Sequence, residues 1–531
     1  LQPTGRQNFV RGALVLVVAN ALVKIIGAVF KIPLTNLFGK EGMGIFTVAY
    51  NIYTALFIIS TAGLPVAVSK MVAEANALGR VHEVKKILRV AFSAFTVVGG
   101  AASVILFFGA RAFTELVGNS LAYYAVLAIS PALFFTAVMS TIRGYYQGLS
   151  DMVPTAVSQV IEALFKLIVG FGLAWVLIEN GFSIAVAAAG AIGGVTVGTV
   201  FGALYLLVKR ARDPQKIPFK ARSMEVRKSG EILKNLWMVA LPVTVGASVL
   251  SLTNLIDMIV VMNRLQDIGY SEASANALYG AYGMSVTLFN LPQTLVTAIS
   301  VSVIPAIAAA FARRDYIGAG KTMESSIRIT AILALPAAAG LSLLSGPILK
   351  LLYFNKPQDA AIAAPLLTTL GFAVLFVAMV ALTNSILQSM GRVNVPVFTM
   401  LIGGVIKLIT NYTLVGTPDV NIHGAPIGTT LCYAVITILN FAVISKVCKT
   451  APNVFRVLMR PLLATAGMSA FVLLSYPFLA RISGERMAAV LTIGLGACVY
   501  FGLLFLVRGI TREDILLLPK GEKLIKTLKI R

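Results

Sequence analysis

Charge is scarce in this chain: 12% of its 531 residues are Asp, Glu, Lys or Arg, about half the share of an ordinary soluble domain. Cysteine and histidine are scarcer still. Cys432, Cys448 and Cys498, with His82 and His423, are too few and too scattered for a disulfide framework or a zinc site. No Ser/His/Asp or Cys/His grouping marks a nucleophilic centre. The run Gly318-Ala-Gly-Lys321-Thr322 imitates a phosphate loop but has Asp315 where that motif needs glycine, and no buried strand precedes it. Acids are short as well, 21 against 44 basic residues, a net charge of +23. Such a balance suits nucleic acid only if a soluble surface carries it. With 58% hydrophobic residues and a mean hydropathy of +0.88, the chain has no such surface, and nucleic acid is excluded as a partner.

What fills the sequence is apolar runs. Fourteen are expected to be helical spans, at 10–33, 43–69, 87–110, 121–142, 153–178, 184–208, 235–262, 278–309, 327–349, 361–389, 396–415, 424–445, 457–480 and 487–507. They are continuous rather than alternating, which argues against barrel strands. The first run lacks a small-residue cleavage site, so it reads as a span and not as a cleaved signal. Prolines 65, 131, 242, 292, 305 and 336 fall inside spans and predict kinks or interruptions. With a cytoplasmic N-terminus, roughly three-quarters of the basic residues fall on inside segments, while acids divide more evenly. This places both termini in the cytoplasm and accounts for the basic charge.

The spans divide into two sets of six that look like copies. Asn20, Lys24 and Gly27 in span 1 match Leu250, Asn254 and Asp257 in span 7, and Gly39 and Gly269 follow at equal distance. Gln147-Gly148, Pro154 and Lys166-Leu-Ile168 match Gln388, Pro396 and Lys407-Leu-Ile409. The expected organisation is an N-lobe at 1–208, a basic loop at 209–234 suited to anionic headgroups, and a C-lobe at 235–446. A helix pair at 447–508 and an amphipathic inner-leaflet tail at 509–531 complete it. Six spans are an even number, so the lobes run in the same sense, with a pseudo-two-fold axis along the membrane normal and a site between them.

Six ionisable residues lie within spans: Lys24, Lys31, Glu162, Lys166, Asp257 and Lys407. Their insertion costs on the order of 15–20 kcal/mol before pairing, so they should face protein or a wet cavity. Lys24 and Lys31 are seven residues apart, one above the other by ~10.5 Å, spaced for successive contacts with a diphosphate; snorkelling to the interface is the alternative for Lys31. Glu162 and Lys166 are spaced for a bridge on one helix, and a substrate phosphate would compete for Lys166. Lys407 has no acid on its own helix. Asp257, one turn after Asn254, either pairs with a lysine across the lobes or binds a coupling cation.

Several motifs carry a family resemblance. Gly63-Leu-Pro-Val-Ala-Val-Ser-Lys70 with Glu74, Arg143-Gly-Tyr-Tyr-Gln-Gly148, Pro154-Thr-Ala-Val-Ser-Gln159 with Glu162, and Leu291-Pro-Gln-Thr294 running to Pro305-Ala306 resemble the polysaccharide-transport branch of the MOP exporter superfamily. Within that branch the likeness is to stage V sporulation protein B-like proteins and MurJ-type lipid II flippases. The resemblance implies an all-α integral membrane protein of about fourteen helices, with two six-helix lobes, an extra helix pair and a MATE-like V-shaped cavity. It implies alternating-access flipping of an undecaprenyl-pyrophosphate-linked glycan or peptidoglycan precursor to the outer leaflet of the bacterial plasma membrane. Where MurJ-type flippases line that cavity with arginines, span 1 here offers Lys24 and Lys31.

On this reading Lys24, Lys31, Lys166 and Lys407 hold the pyrophosphate. Glu162, Asp257 and Asn254 serve charge pairing or coupling, and Arg143, Gln147, Gln388 and Arg392 stand at gate loops. The partners are the lipid-linked oligosaccharide and membrane lipids, with cell-wall synthesis proteins beside a monomeric carrier. No cofactor is expected beyond a coupling Na+ or H+. The rivals are a cation-coupled multidrug antiporter, which wants unpaired intramembrane acids, a glycan polymerase or ligase, which wants long outer loops, and a scaffold for wall synthesis.

Overall fold

In hydrocarbon every peptide N–H and C=O must be satisfied within its own segment, so long apolar runs become helices. A computed structural model of the chain describes residues 5–213, 227–313, 315–447 and 454–509. All but the first residue of the tail expected at 509–531, and the loop centre at 214–226, lie outside the described residues. Among the described residues there is no strand, and eleven stretches are long and apolar enough to cross a membrane. The chain is a multi-pass, all-helical membrane protein.

The chain forms two compact units, Leu1–Gly280 and Ala281–Arg531. The first opens with α1 (Gly5–Thr61), which bends at Gly39, where φ 67° and ψ −162° suit only glycine. A straight helix of that length would reach about 85 Å, nearly three hydrocarbon thicknesses. The break divides it between the runs expected at 10–33 and 43–69. There follow α2 (Leu64–Ala77), α3 (Val81–Phe108), the short α4 (Ala110–Val117), a 3-10 turn at Ser120–Ala122, α5 (Tyr123–Ile129), α6 (Ala132–Gly148), α7 (Val153–Glu179), α8 (Ile184–Arg212) and α9 (Ser229–Asp267). Helix α10 (Glu272–Ala312) leads into the second unit. That unit contains α11 (Tyr316–Leu343), the short α12 (Ser345–Leu352), α13 (Pro357–Ser389), α14 (Asn394–Val415), α15 (Gly424–Val447) and α16 (Val454–Leu506). Helix α16 breaks at Gly484, φ 77°, within the segment expected to turn between 480 and 487.

Proline behaves in two ways. Pro65 and Pro131 sit at the starts of α2 and α6, where a missing N–H costs nothing. Pro242 and Pro336 lie inside α9 and α11, which continue through them, as membrane helices permit. The imitation phosphate loop is the first turn of α11: Asp315 caps it, its carboxylate accepting from the Gly318 N–H at 2.8 Å.

Two of the motifs that carry the resemblance pack on each other. A methyl at Gly144 would come within 2.8 Å of the Pro65 carbonyl oxygen, and one at Gly148 within 2.7 Å of that of Ser69. Glycine at these two positions lets α6 close on α2. Beside this contact Leu64, Val68, Phe95 and Tyr145 are buried with Ile232 and Leu236 of α9. Glu83, 1% exposed, accepts from Arg227 at the start of α9 and from Arg80 at 3.4 Å.

In the second unit a buried amide joins three helices. Asn440 Nδ2 of α15 donates to Thr383 Oγ1 and Asn384 Oδ1 of α13, both at 2.9 Å, and its Oδ1 accepts from Thr399 of α14 at 2.8 Å. At about 0.6 kcal/mol for each such bond in a membrane, Asn440→Ala is expected to cost about 2 kcal/mol. A thermal melt in detergent reads this as a lowered midpoint, and an unchanged one would show the network to be dispensable.

Candidate functional site

Three of the residues singled out by charge, Arg143, Glu162 and Lys166, meet in the first unit. A cavity of ≈ 210 Å³ lies among α1, α6 and α7. Val23, Ile26, Gly27 and Phe30 form one wall, and Tyr50 comes from the second arm of α1. Arg143 reaches in from α6, and Gln159, Glu162, Ala163 and Lys166 from α7. Positions 23, 26, 27 and 30 share one helical face. A methyl at Gly27 would meet no atom within 4 Å, so this glycine leaves space open.

Two cations in the wall are secured differently. Arg143 Nη2 binds Glu162 Oε2 at 3.0 Å, while its Nε donates to Ser158 Oγ at 2.9 Å. The Lys166 ammonium lies over two aromatic faces, 5.3 Å from the centroid of Phe30 and 4.7 Å from that of Tyr50. No carboxylate stands within 4.0 Å of it among the described residues. Lys31, half-buried, is within coulombic reach of Lys166. Gln159 Oε1 is buried without a hydrogen-bond partner. The chamber thus combines a cation resting on rings, an arginine already paired and an amide with unused capacity.

This arrangement corrects two expectations. Glu162 does pair, but with Arg143 across helices instead of with Lys166 along its own. Arg143, expected at a gate loop, is inside α6 with its side chain in the cavity wall. Gln147 is half-buried near the end of α6. Gln388 and Arg392 are exposed around the turn between α13 and α14, where Gly391 has φ 77°. Lys24 is exposed and does not line the cavity, although its neighbours Val23, Ile26 and Gly27 do. Asn254 is exposed on α9, and Asp257 is buried there at 5%. Lys407, half-buried on α14, belongs to the second unit. The residues that reasoning from charge overlooked are Phe30, Tyr50 and Ser158. An aromatic in an apolar run, such as Tyr50, gives no sign of the cation it faces.

A wall of glycines stands behind these side chains. Gly190, Gly194, Gly198 and Gly202 recur every fourth residue of α8, the small-residue spacing by which membrane helices approach closely. A methyl at Gly198 would lie 2.5 Å from the Glu162 carbonyl oxygen and 3.3 Å from the Lys166 nitrogen, and one at Gly202 3.4 Å from the Ser158 carbonyl oxygen. The backbone bearing Ser158, Glu162 and Lys166 is therefore fixed from behind.

The second unit has an apolar cavity of ≈ 380 Å³ between α11 and both arms of α16, lined by residues such as Ile332, Leu341, Met468, Val472, Ile493 and Phe501. Tyr500 lines it too, but its hydroxyl is occupied, donating to the Ile332 carbonyl at 2.9 Å.

Gly27→Leu is expected to fill the chamber of the first unit without disturbing the helices, since nothing opposes the new side chain. Transport should fall at least tenfold while the melting temperature stays within a few degrees; normal transport would show that the chamber is not used. That order of effect follows from excluding a ligand held by charge-assisted bonds.

An all-helical membrane protein that keeps a lysine and an ion pair around an internal chamber is built as a carrier. The chain belongs to the polysaccharide biosynthesis protein family, which matches residues 9–311; the MatE family matches residues 242–413. It is 27% identical to the lipid II flippase MurJ of Bacillus subtilis over 93% of this chain and 94% of that protein. It is 25% identical to stage V sporulation protein B of the same organism over 98% and 99%. Its fold is similar to a solved structure of lipid II flippase MurJ in an inward closed conformation, with a TM-score of 0.71 and 16% identity over 92% of this chain and 98% of that one. The MurJ proteins among them are flippases by name, and the chain is likewise not an enzyme.

Proposed function

We propose that this protein is a flippase that carries a polyprenyl-pyrophosphate-linked glycan or peptidoglycan precursor from the inner to the outer leaflet of the bacterial plasma membrane. The observation that carries this reading is Lys166, an intramembrane cation facing a cavity and set on aromatic rings instead of a carboxylate. A phosphate group is the ligand chemistry that such a site lacks. Lys31 adds positive potential beside it. The names of the relatives favour the same cargo class, and the apolar cavity between α11 and α16 suits an isoprenoid tail, which needs surface without polar demands. The preponderance of basic residues on inside segments supports cytoplasmic termini. Lys24 and Lys407 belong to the path on this reading, Arg143 and Glu162 to the charge balance around it. Asp257 with Asn254 is the candidate for coupling to Na+ or H+. The carrier works as a monomer beside wall-synthesis proteins.

The deciding experiment is reconstitution of the whole chain in vesicles, comparing outward movement of fluorescent lipid II with that of other undecaprenyl-linked sugars. Movement of none of them would end the proposal. The MatE match over residues 242–413 favours a second reading, a cation-coupled drug antiporter. It requires that deletion raise drug susceptibility while leaving precursor movement intact.

A further inference from the structure

Glu162 precedes Lys166 by one helical turn, which is the order that most favours a bridge on a single helix. That bridge is not made. The carboxylate is turned to Arg143 Nη2 at 3.0 Å, and Arg143 is itself steadied by Ser158 Oγ at 2.9 Å and by Met139 Sδ at 3.6 Å. Lys166 is left on Phe30 and Tyr50.

We propose that Arg143 is a positioning residue that holds the Glu162 carboxylate away from Lys166, so that the ammonium stays open to an anionic phosphate group. The proposal rests on the reading of Lys166 as the anion-binding residue. An ionised carboxylate released at this depth would have to find a cation, because an unpaired charge inside a membrane span is costly. The nearest one along its own helix is Lys166. The bridge so formed would occupy the ammonium from within, and an entering phosphate would have to displace it. A cation–π contact is the weaker tie, worth about 0.5–2 kcal/mol, and yields to a phosphate more readily than a buried carboxylate does. Arg143 therefore acts on the ligand through Glu162 and Lys166, without touching it.

This account predicts suppression. If Arg143 is lost, the harm comes from the freed carboxylate, and removing that charge should repair binding. The test uses the full chain purified in detergent, calorimetric titration with farnesyl pyrophosphate as a short polyprenyl pyrophosphate, and a melting curve for every variant. Lys166→Ala should weaken binding by about tenfold or more, the value of one charge-assisted bond to phosphate. Arg143→Ala should weaken it about tenfold, whereas Arg143→Lys, which can still hold the carboxylate, should stay near the parent. Arg143→Ala with Glu162→Gln should return to within about threefold of the parent, and Glu162→Gln alone should bind at least as tightly. A double variant as weak as Arg143→Ala, while Lys166→Ala also fails to bind, overturns the positioning role and leaves the reading of Lys166 intact. Recovery of melting temperature without recovery of affinity overturns it too, because a purely structural part for Arg143 would give that result. Undiminished binding by Lys166→Ala overturns the underlying reading, and this proposal with it.

Discussion

Lys166→Ala is expected to abolish transport while leaving the amount of protein in the membrane unchanged. Among the described residues the side chain bridges no carboxylate, so its removal strands no partner charge; what it leaves are the faces of Phe30 and Tyr50, which apolar surroundings tolerate. Removing a mid-span lysine also lowers the insertion penalty by about 2.5–3.5 kcal/mol. Stability should therefore hold or rise while a cation seated on rings in this chamber wall disappears. Lys166→Arg should keep part of the activity, because a guanidinium also stacks on aromatic faces and binds phosphate. Complementation of a strain depleted of its lipid-linked precursor flippase, with membrane levels followed by immunoblot, measures both halves of the claim. Normal growth of the alanine variant would refute it.

The largest loss of stability is expected from Gly198→Leu. Its first added carbon would already lie 2.5 Å from the Glu162 carbonyl oxygen, and a backbone atom in a packed helix has no other place to go. Helices α7 and α8 would have to separate along the glycine face. Overpacking alone costs about 1–3 kcal/mol, and here the pairing of two helices is forfeited as well. The expected result is little folded protein on size-exclusion chromatography after extraction. Gly193→Leu is the matched control, since a methyl there meets nothing within 4 Å; it should leave the profile unchanged. If both variants migrate as the parent does, the glycine face is not what holds α7.

Periodicity along the chain reveals some features of this fold and is silent on others. Helical spans were legible because a bilayer leaves a long apolar run no other regular structure. The sharp breaks at Gly39 and Gly484 were not assigned as such, since glycine is common in membrane helices and only the backbone angle distinguishes a hinge from a packing glycine. The presence of charge in the chamber was legible from its cost. Its pairing was not: spacing along one helix predicts Glu162 with Lys166, but the partner nineteen residues earlier in sequence, Arg143, is brought in by packing of α6 on α7. The proposed lysine ladder on α1 misses the cavity for a simple angular reason. Lys24 and Lys31 each follow a cavity-lining residue, Val23 or Phe30, by one position, and one position is about 100° of helical rotation.

On the reading proposed above, the volume of the charged chamber has a consequence for selectivity. At ≈ 210 Å³ it is smaller than the pockets of about 300–1,000 Å³ that hold drug-sized ligands. A pyrophosphate fits in that space, but a disaccharide bearing a peptide does not. The chamber therefore recognises the chemical handle that all polyprenyl-linked building blocks share and is blind to which sugar follows. A carrier built this way can serve different polymers, and whatever tells one monomer from another has to lie on surfaces beyond the chamber.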